Sequence, residues 1–332
     1  MVNIGNMYGP NFSFLGVPQC DLDNPASYRD ADVIIIGAPI DSGTSHRSGA
    51  KFGPQAIRMG DYLPHDGERP HLSLRIDGLK ELKVFDAGDL LMPPGNLEES
   101  LKVLRAATEK ISRAGAISVI LGGDHSIASA DVAGIADHRG FGKISMVHFD
   151  AHADTGDLQF GALVGHGTPM RRLIDSGAVR GDRFLQLGLR GYWPGDETLE
   201  WMRDQGMRSY EMTEIHHRGM KAVLDESFAT LTKDCDGVFL SVDIDVVDPG
   251  MAPGTGTPEP GGMTSRELLE AVRRICLELP IVGIDVVEVA PPFDSADITA
   301  ILANRVVLEA LSAIAARKKG IGYSPTRNLL DR

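Results

Sequence analysis

The chain has 332 residues, 42% of them apolar and 24% charged, which is enough apolar material for a sizeable core. Its formal net charge of −13 argues against nucleic acid or an anionic membrane surface as a partner, and suits a cationic ligand. The three cysteines, Cys20, Cys235 and Cys276, are scattered and form no CxxC pair, which argues against a disulfide framework or a cysteine zinc site and for a reducing compartment.

Residues 1–30 are rich in Asn, Pro, Gly and Asp without periodicity, and read as an irregular arm and a candidate oligomer contact. They carry neither the basic start nor the apolar run of a signal peptide. No stretch reads as the ~18 apolar residues of a membrane span, so a soluble cytoplasmic protein is expected. Residues 31–320 read as one domain and residues 321–332 as a tail. Short apolar runs bounded by turn residues follow one another: Val33–Ile36, Ile117–Leu121, Ile144–Phe149, Phe184–Leu187, Val238–Val242 and Ile281–Val287. Runs of this kind suit parallel strands buried on both faces. Helical spacing appears over Leu97–Ala114, Ser265–Leu279 and Ala296–Lys318, with Thr264 and Glu267 spaced as a capping box. The alternation predicts an α/β fold of three layers (αβα) around a mostly parallel sheet.

Three predicted strands end in polar clusters, at the sheet edge where ligands bind in open α/β folds. The strand Ile117–Leu121 runs into Gly122-Gly123-Asp124-His125-Ser126, where His125 taken alone is an ordinary turn histidine. The strand Ile144–Phe149 runs into Asp150-Ala151-His152-Ala153-Asp154. In an extended chain alternate side chains share a face, so Asp150, His152 and Asp154 can converge, although a solvated acidic turn is the plainer reading. The strand Val238–Val242 runs into Asp243-Ile244-Asp245, with no nearby Lys or Arg to pair with, while Asp248-Pro249 shapes the following turn. Together the clusters supply an oxygen-rich donor set with two imidazoles, which suits manganese and similar divalent ions, and enough carboxylates for two of them.

GGDHS, DAHAD and SVDIDVVDP, in this order and at this spacing, resemble the signature of the arginase–agmatinase ureohydrolases. So do Gly43-Thr44 with Gly53-Pro54-Gln55-Ala56-Ile57-Arg58, Ala252–Pro258 with Gly261-Gly262, and Val287-Glu288-Val289 with Pro291-Pro292. The resemblance spans residues 32–315 and lies closer to the agmatinase branch, with guanidinobutyrase and proclavaminate amidinohydrolase, than to arginase. It implies an arginase-like fold and a hydrolase that releases urea from a small guanidino compound. Agmatine is the first candidate, cleaved to putrescine and urea, and a guanidino acid is the alternative. It also implies two Mn2+ per chain, with Ni2+ as the alternative metal, and a homo-oligomer, a trimer or hexamer. One ion would be held by His125, Asp150, Asp154 and Asp243, the other by Asp150, His152, Asp243 and Asp245. Glu288 would pair with the substrate guanidinium, His166 would shuttle protons, and Asp154 would pass a proton to the leaving amine.

The chemistry needs such a set. A guanidinium arrives protonated, with a pKa near ~12.5–13.8 by analogy with arginine, and its delocalised charge makes the carbon a poor electrophile. Paired divalent ions make water reactive enough to attack it, and a carboxylate fixes the planar cation by charge-assisted hydrogen bonds. His148 shares a face with Asp150 and reads as support behind the ligands or as core packing. Trp193 reads as pocket mouth or as packing, and His216 and His217 as exposed. The segments Thr44–Ser48 and Gly156–Gly165 are expected to shape the pocket for the substrate tail, where His46 departs from the agmatinase pattern. Arg47, Arg171, Arg172 and Arg190 are candidates for an acidic tail or are structural. Two other classes compete: a single-zinc amide deacetylase, against which the two-ion ligand set argues, and a non-enzymatic partner subunit, which would have lost ligands.

Overall fold

The computed structural model describes residues 12–61 and 69–324. The remaining parts of the expected N-terminal arm and C-terminal tail, residues 1–11 and 325–332, lie outside the described residues. Eight strands form one sheet: β1 (Val33–Ala38), β2 (Val84–Asp89), β3 (Ile117–Gly122), β4 (Ile144–Phe149), β5 (Val179–Leu189), β6 (Arg208–Glu211), β7 (Gly237–Asp243) and β8 (Ile281–Val287). Their order is β2-β1-β3-β8-β7-β4-β5-β6, and every pairing is parallel.

Strand periodicity explains the layers. Successive side chains point to opposite faces. Ile34, Ile36, Ile120, Ile144 and Met146 therefore pack on one side, under the helices Leu97–Arg113, Ala128–Arg139 and Pro169–Asp175. Val33, Ile35, Val119, Val147 and Phe149 pack on the other, under Met220–Leu231, Ser265–Glu278 and Ile298–Lys318. Helices on both faces are what make the strands read as continuous apolar runs. The two edge strands, β2 and β6, escape the sequence pattern for the converse reason. Their sequences, VFDAGD and RSYE, mix charged and apolar residues, and neither is buried throughout.

The helix ends follow local chemistry. The reciprocal capping box of Thr264 and Glu267 starts the helix Ser265–Glu278. The last helix begins at Ile298 and not at Ala296, because Ala296 and Asp297 have φ of 53° and 58°, outside helical backbone. Against the sequence expectation, this helix is long and apolar enough to cross a membrane by length and composition, but 83% of its most apolar window is buried within the fold.

Residues 12–30 pack against the β2 edge. Phe14 is fully buried, and its N–H donates to Asp86 Oδ2 at 2.8 Å. Arg58 clamps Asp86 with two hydrogen bonds of 2.9 Å and also donates to Asp89. Removing a buried guanidinium leaves carboxylates without a counter-charge. Arg58→Met is therefore expected to destabilise the fold by about 3–5 kcal/mol, read as a lower urea midpoint. A midpoint equal to wild type would show that the clamp contributes nothing.

Candidate metal centre

Strands β3, β8, β7 and β4 lie side by side, so the loops leaving their C-terminal ends meet at one edge of the sheet. After β3 the chain turns sharply, because a Cβ on Gly123 would lie 1.8 Å from the carbonyl oxygen of Ile40. Asp124 caps the following turn by accepting from Ser126 N, and ties down the neighbouring loop by accepting from Gly43 N at 2.7 Å. His125 then stands over β7 and β4.

The two nitrogens of His125 have different partners. Ser241 Oγ donates its one proton to Asp285 Oδ1 at 2.7 Å, so at 2.9 Å from His125 Nε2 it must accept. That places the imidazole proton on Nε2 and a lone pair on Nδ1. Nδ1 lies 3.1 Å from Asp150 Oδ2, 3.1 Å from Asp154 Oδ2 and 3.2 Å from Asp243 Oδ2, yet makes no hydrogen bond. A buried lone pair facing three carboxylate oxygens fits a cation held among them. Burial lowers the His125 imidazole, but the same three carboxylates overcome it and hold it well above its ordinary range. A proton and a metal ion answer the same field, and the missing N–H···O geometry at Nδ1 favours the metal.

A second group adjoins the first. His152 Nδ1 lies 3.1 Å from Asp245 Oδ2 and 3.5 Å from Asp150 Oδ1. Asp150, His152 and Asp245 bring their donor atoms within 4.8 Å of one another. Backbone groups orient the carboxylates: Asp150 Oδ1 accepts from His152 N at 2.6 Å, Asp243 Oδ1 from Asp245 N at 2.8 Å, and Asp245 Oδ1 from Ala151 N at 3.1 Å. Burial together with the charges of Asp245 and Asp150 pushes Asp243 well above the usual carboxylate range. Burial also raises Asp245, although His152 opposes it. Crowding of this kind is what divalent cations relieve.

Beside the cluster lie Glu288 and His166. Glu288 has a φ of 63°, its N–H donates to Gly123 O at 2.8 Å, and it is 1% exposed. Its Oε1 accepts from His125 N at 2.9 Å and from His166 Nδ1 at 3.0 Å, while Oε2 is buried with no partner. Burial lowers the His166 imidazole, but the charge of Glu288 raises it to about 9. Ser45 N–H donates to His166 Nε2 at 3.0 Å, which favours the neutral ring. These opposed demands suit a group that both takes and gives a proton. Burial and the nearby charge of Glu288 raise Asp124 to about 6. Sequence reasoning gave Asp124 no role, although it lies within the GGDHS motif.

A cavity of about 440 Å³ opens over the cluster, lined by Asp154, His152, Asp243 and His166 below and by Leu158, Gln159, Phe160 and Trp193 at the sides. Trp193 thus belongs to the pocket. None of the four candidate arginines lines it. Arg47 stacks on Phe293 and donates to Thr255 O and Gly256 O, and Arg190 donates to backbone carbonyls including those of Asp245 and Glu259. Arg171 and Arg172 pair with Asp157 and Asp175.

The structure therefore gathers His125, Asp150, His152, Asp154, Asp243, Asp245, His166 and Glu288 at one place. Asp154 arrives by a different route from the extended chain expected of it: its φ is 53°. His148 stands behind Asp150, and His46, His216 and His217 are exposed and do not line the cavity.

A wholly parallel sheet whose C-terminal edge gathers imidazoles and carboxylates beside a cavity defines a class, the α/β proteins with a candidate metal centre at the sheet edge. The chain belongs to the Arginase family, whose profile matches residues 31–313. It is 39% identical to a proclavaminate amidinohydrolase of Streptomyces clavuligerus over 85% of this chain and 88% of that protein. It is 35% identical to a guanidinobutyrase of Pseudomonas aeruginosa (88% and 89% covered) and 38% identical to an agmatinase of Cronobacter sakazakii (92% and 94% covered). The solved structure of the Streptomyces clavuligerus enzyme superposes with a TM-score of 0.83 at 35% identity, covering 94% of this chain and 100% of that one. A Trypanosoma cruzi formiminoglutamase variant with Mn2+ superposes with a TM-score of 0.79 at 26% identity, covering 89% of this chain and 97% of that one.

Proposed function

We propose that this chain releases urea from a small guanidino compound with an amine tail, agmatine, leaving putrescine, and that it holds two manganese ions to do so. The observation that carries the reading is the buried Nδ1 lone pair of His125 against three carboxylate oxygens, with a second imidazole–carboxylate group sharing Asp150. His125, Asp150, Asp154 and Asp243 would hold one ion, and Asp150, His152, Asp243 and Asp245 the other. When bound, such a pair of ions makes water reactive at neutral pH and polarises the carbon it attacks. Nickel is the alternative metal, since the donor set suits both.

The chain's own side chains do the rest. Glu288 Oε2, buried and free, accepts from the guanidinium N–H groups, and a charge-assisted contact of this kind fixes the plane of the substrate. His166, held by Glu288 at Nδ1 and by Ser45 at Nε2, exchanges protons at the cavity wall. Asp154 lines the cavity and is the group placed to pass a proton to the departing amine.

The amine tail rests on the cavity walls. No Lys or Arg among the described residues lines the cavity, and the four arginines considered for an acidic tail are spent on other partners. Trp193 and Phe160 present aromatic surface there, which favours a cation over a carboxylate. A urea assay across a panel of guanidines, after loading with manganese or nickel, tests both levels of the reading. Agmatine is expected to give the highest kcat/KM. A dominant guanidino acid would overturn the tail assignment alone, and no urea from any member would overturn the function. Residence in the cytoplasm and assembly as a homotrimer or homohexamer complete the reading, the latter tested by light scattering.

A further inference from the structure

One row of polar side chains crosses the sheet just behind the metal-binding cluster. Asp285, Ser241, His148, Gln186 and Ser209 come from β8, β7, β4, β5 and β6, and each is the direct register partner of the next. The first four are fully buried in a sheet otherwise apolar at its centre. Buried polar groups are costly unless each is satisfied, and here the satisfaction follows a fixed order.

The order starts from a backbone carbonyl. Ala153 O can only accept, so the Gln186 atom 2.7 Å from it is the amide nitrogen. The amide oxygen therefore faces Ser209 Oγ, which donates to it at 2.8 Å. The second amide proton points to His148 Nδ1 at 3.1 Å, which must be the acceptor nitrogen. The one proton of a neutral imidazole then sits on Nε2 and is donated to Asp150 Oδ2 at 2.8 Å. His148 lies close enough to His125, Asp150 and Asp154 to be counted as a metal donor itself. With Nδ1 accepting and Nε2 donating, it has no lone pair left to give.

We infer that Gln186 is a positioning residue: it sets the tautomer of His148, and through that N–H it aims Asp150 at the metal ions. The inference rests on the two-metal reading above. A ligand carboxylate oriented by a hydrogen bond from behind holds metal more tightly, and losing such a partner typically costs ~10–100-fold in affinity.

The test is calorimetric titration of Mn2+ into the full-length protein stripped with a chelator, with circular dichroism to check the fold of each variant. Wild type is expected to take up two ions per chain. Gln186→Met and His148→Phe keep bulk but break the relay, and each is expected to weaken manganese binding by ~10–100-fold. His148→Gln returns an N–H near the position of Nε2, and is expected to recover most of the lost affinity. A role in packing alone would make Phe the milder change and Gln the harsher one. Folded Gln186→Met and His148→Phe proteins that bind manganese as wild type does would overturn the inference, as would His148→Gln binding no better than His148→Phe. Should His148→Phe fail to fold, Gln186→Met decides alone. Failure of the wild type to take up manganese would instead sink the metal assignment itself, so the two failures are distinguishable.

Discussion

Asp243→Ala is expected to leave a folded protein that retains fewer than two metal ions and has lost nearly all urea release. Asp243 is the last residue of β7, and it does two things at once. Its Oδ2 stands 3.2 Å from the free nitrogen of His125, and its Oδ1 accepts from Asp245 N at 2.8 Å, fixing where the next carboxylate points. Alanine removes a donor from both proposed ion positions and frees Asp245 to turn. The loss should exceed the ~10²–10³-fold typical of deleting one stabilising hydrogen-bond donor at an active site. The fold should survive, because Asp243 is pushed well above the usual carboxylate range by burial and by the charges of Asp245 and Asp150, so its removal relieves repulsion in the metal-free chain. Metal content by mass spectrometry of the purified protein, read beside the urea assay, separates the two effects. Full metal content with full turnover would remove the basis for the whole functional reading.

Glu288→Gln is the complementary case, with metal kept and substrate lost. Burial opposes ionisation of Glu288, but the charge of His166 and its hydrogen bond outweigh burial and keep the carboxylate below its usual pKa. It is therefore charged at neutral pH. Gln has the same shape and can still accept from His125 N and His166 Nδ1 through one oxygen. At the other position it presents an N–H to a substrate made of N–H groups. Breaking a buried charge pair in this way costs about 3–5 kcal/mol, so kcat/KM should fall by ~10²–10⁴-fold, with manganese content at its wild-type value. Unchanged kcat/KM would assign the free Oε2 to some purpose other than the guanidinium. Loss of metal would instead make Glu288 part of the ligand scaffold through its bond to His125.

How much of this was legible beforehand depended on how local each feature is. The central strands announced themselves because helices cover both their faces, so most of their positions are apolar. The aspartates of DAHAD and DID stood out because they follow such strands with charge, whereas His125 and the division of donors between two ions came from the family resemblance. Strands β2 and β6 were silent because an edge strand need not be apolar throughout. The roles of the arginines were equally hidden, since Arg47 and Arg190 are spent on carbonyls of loops far away in sequence. His148 was legible as support behind Asp150, but the relay that reaches it from Ser209 through Gln186 could not be read. Its members lie on three strands, and only their register brings them into line.

Nine non-glycine residues among those described have positive φ, and two of them, Asp154 and Glu288, are in the proposed catalytic machinery. Such backbone costs on the order of 1–3 kcal/mol per residue and is relieved by glycine. Anyone seeking a more heat-resistant version of this protein by relieving backbone strain alone would thus be led toward glycine at these two positions, and would delete the side chains that carry its chemistry. Thermal tolerance and turnover are here in competition at single residues, and a useful library must hold both positions fixed.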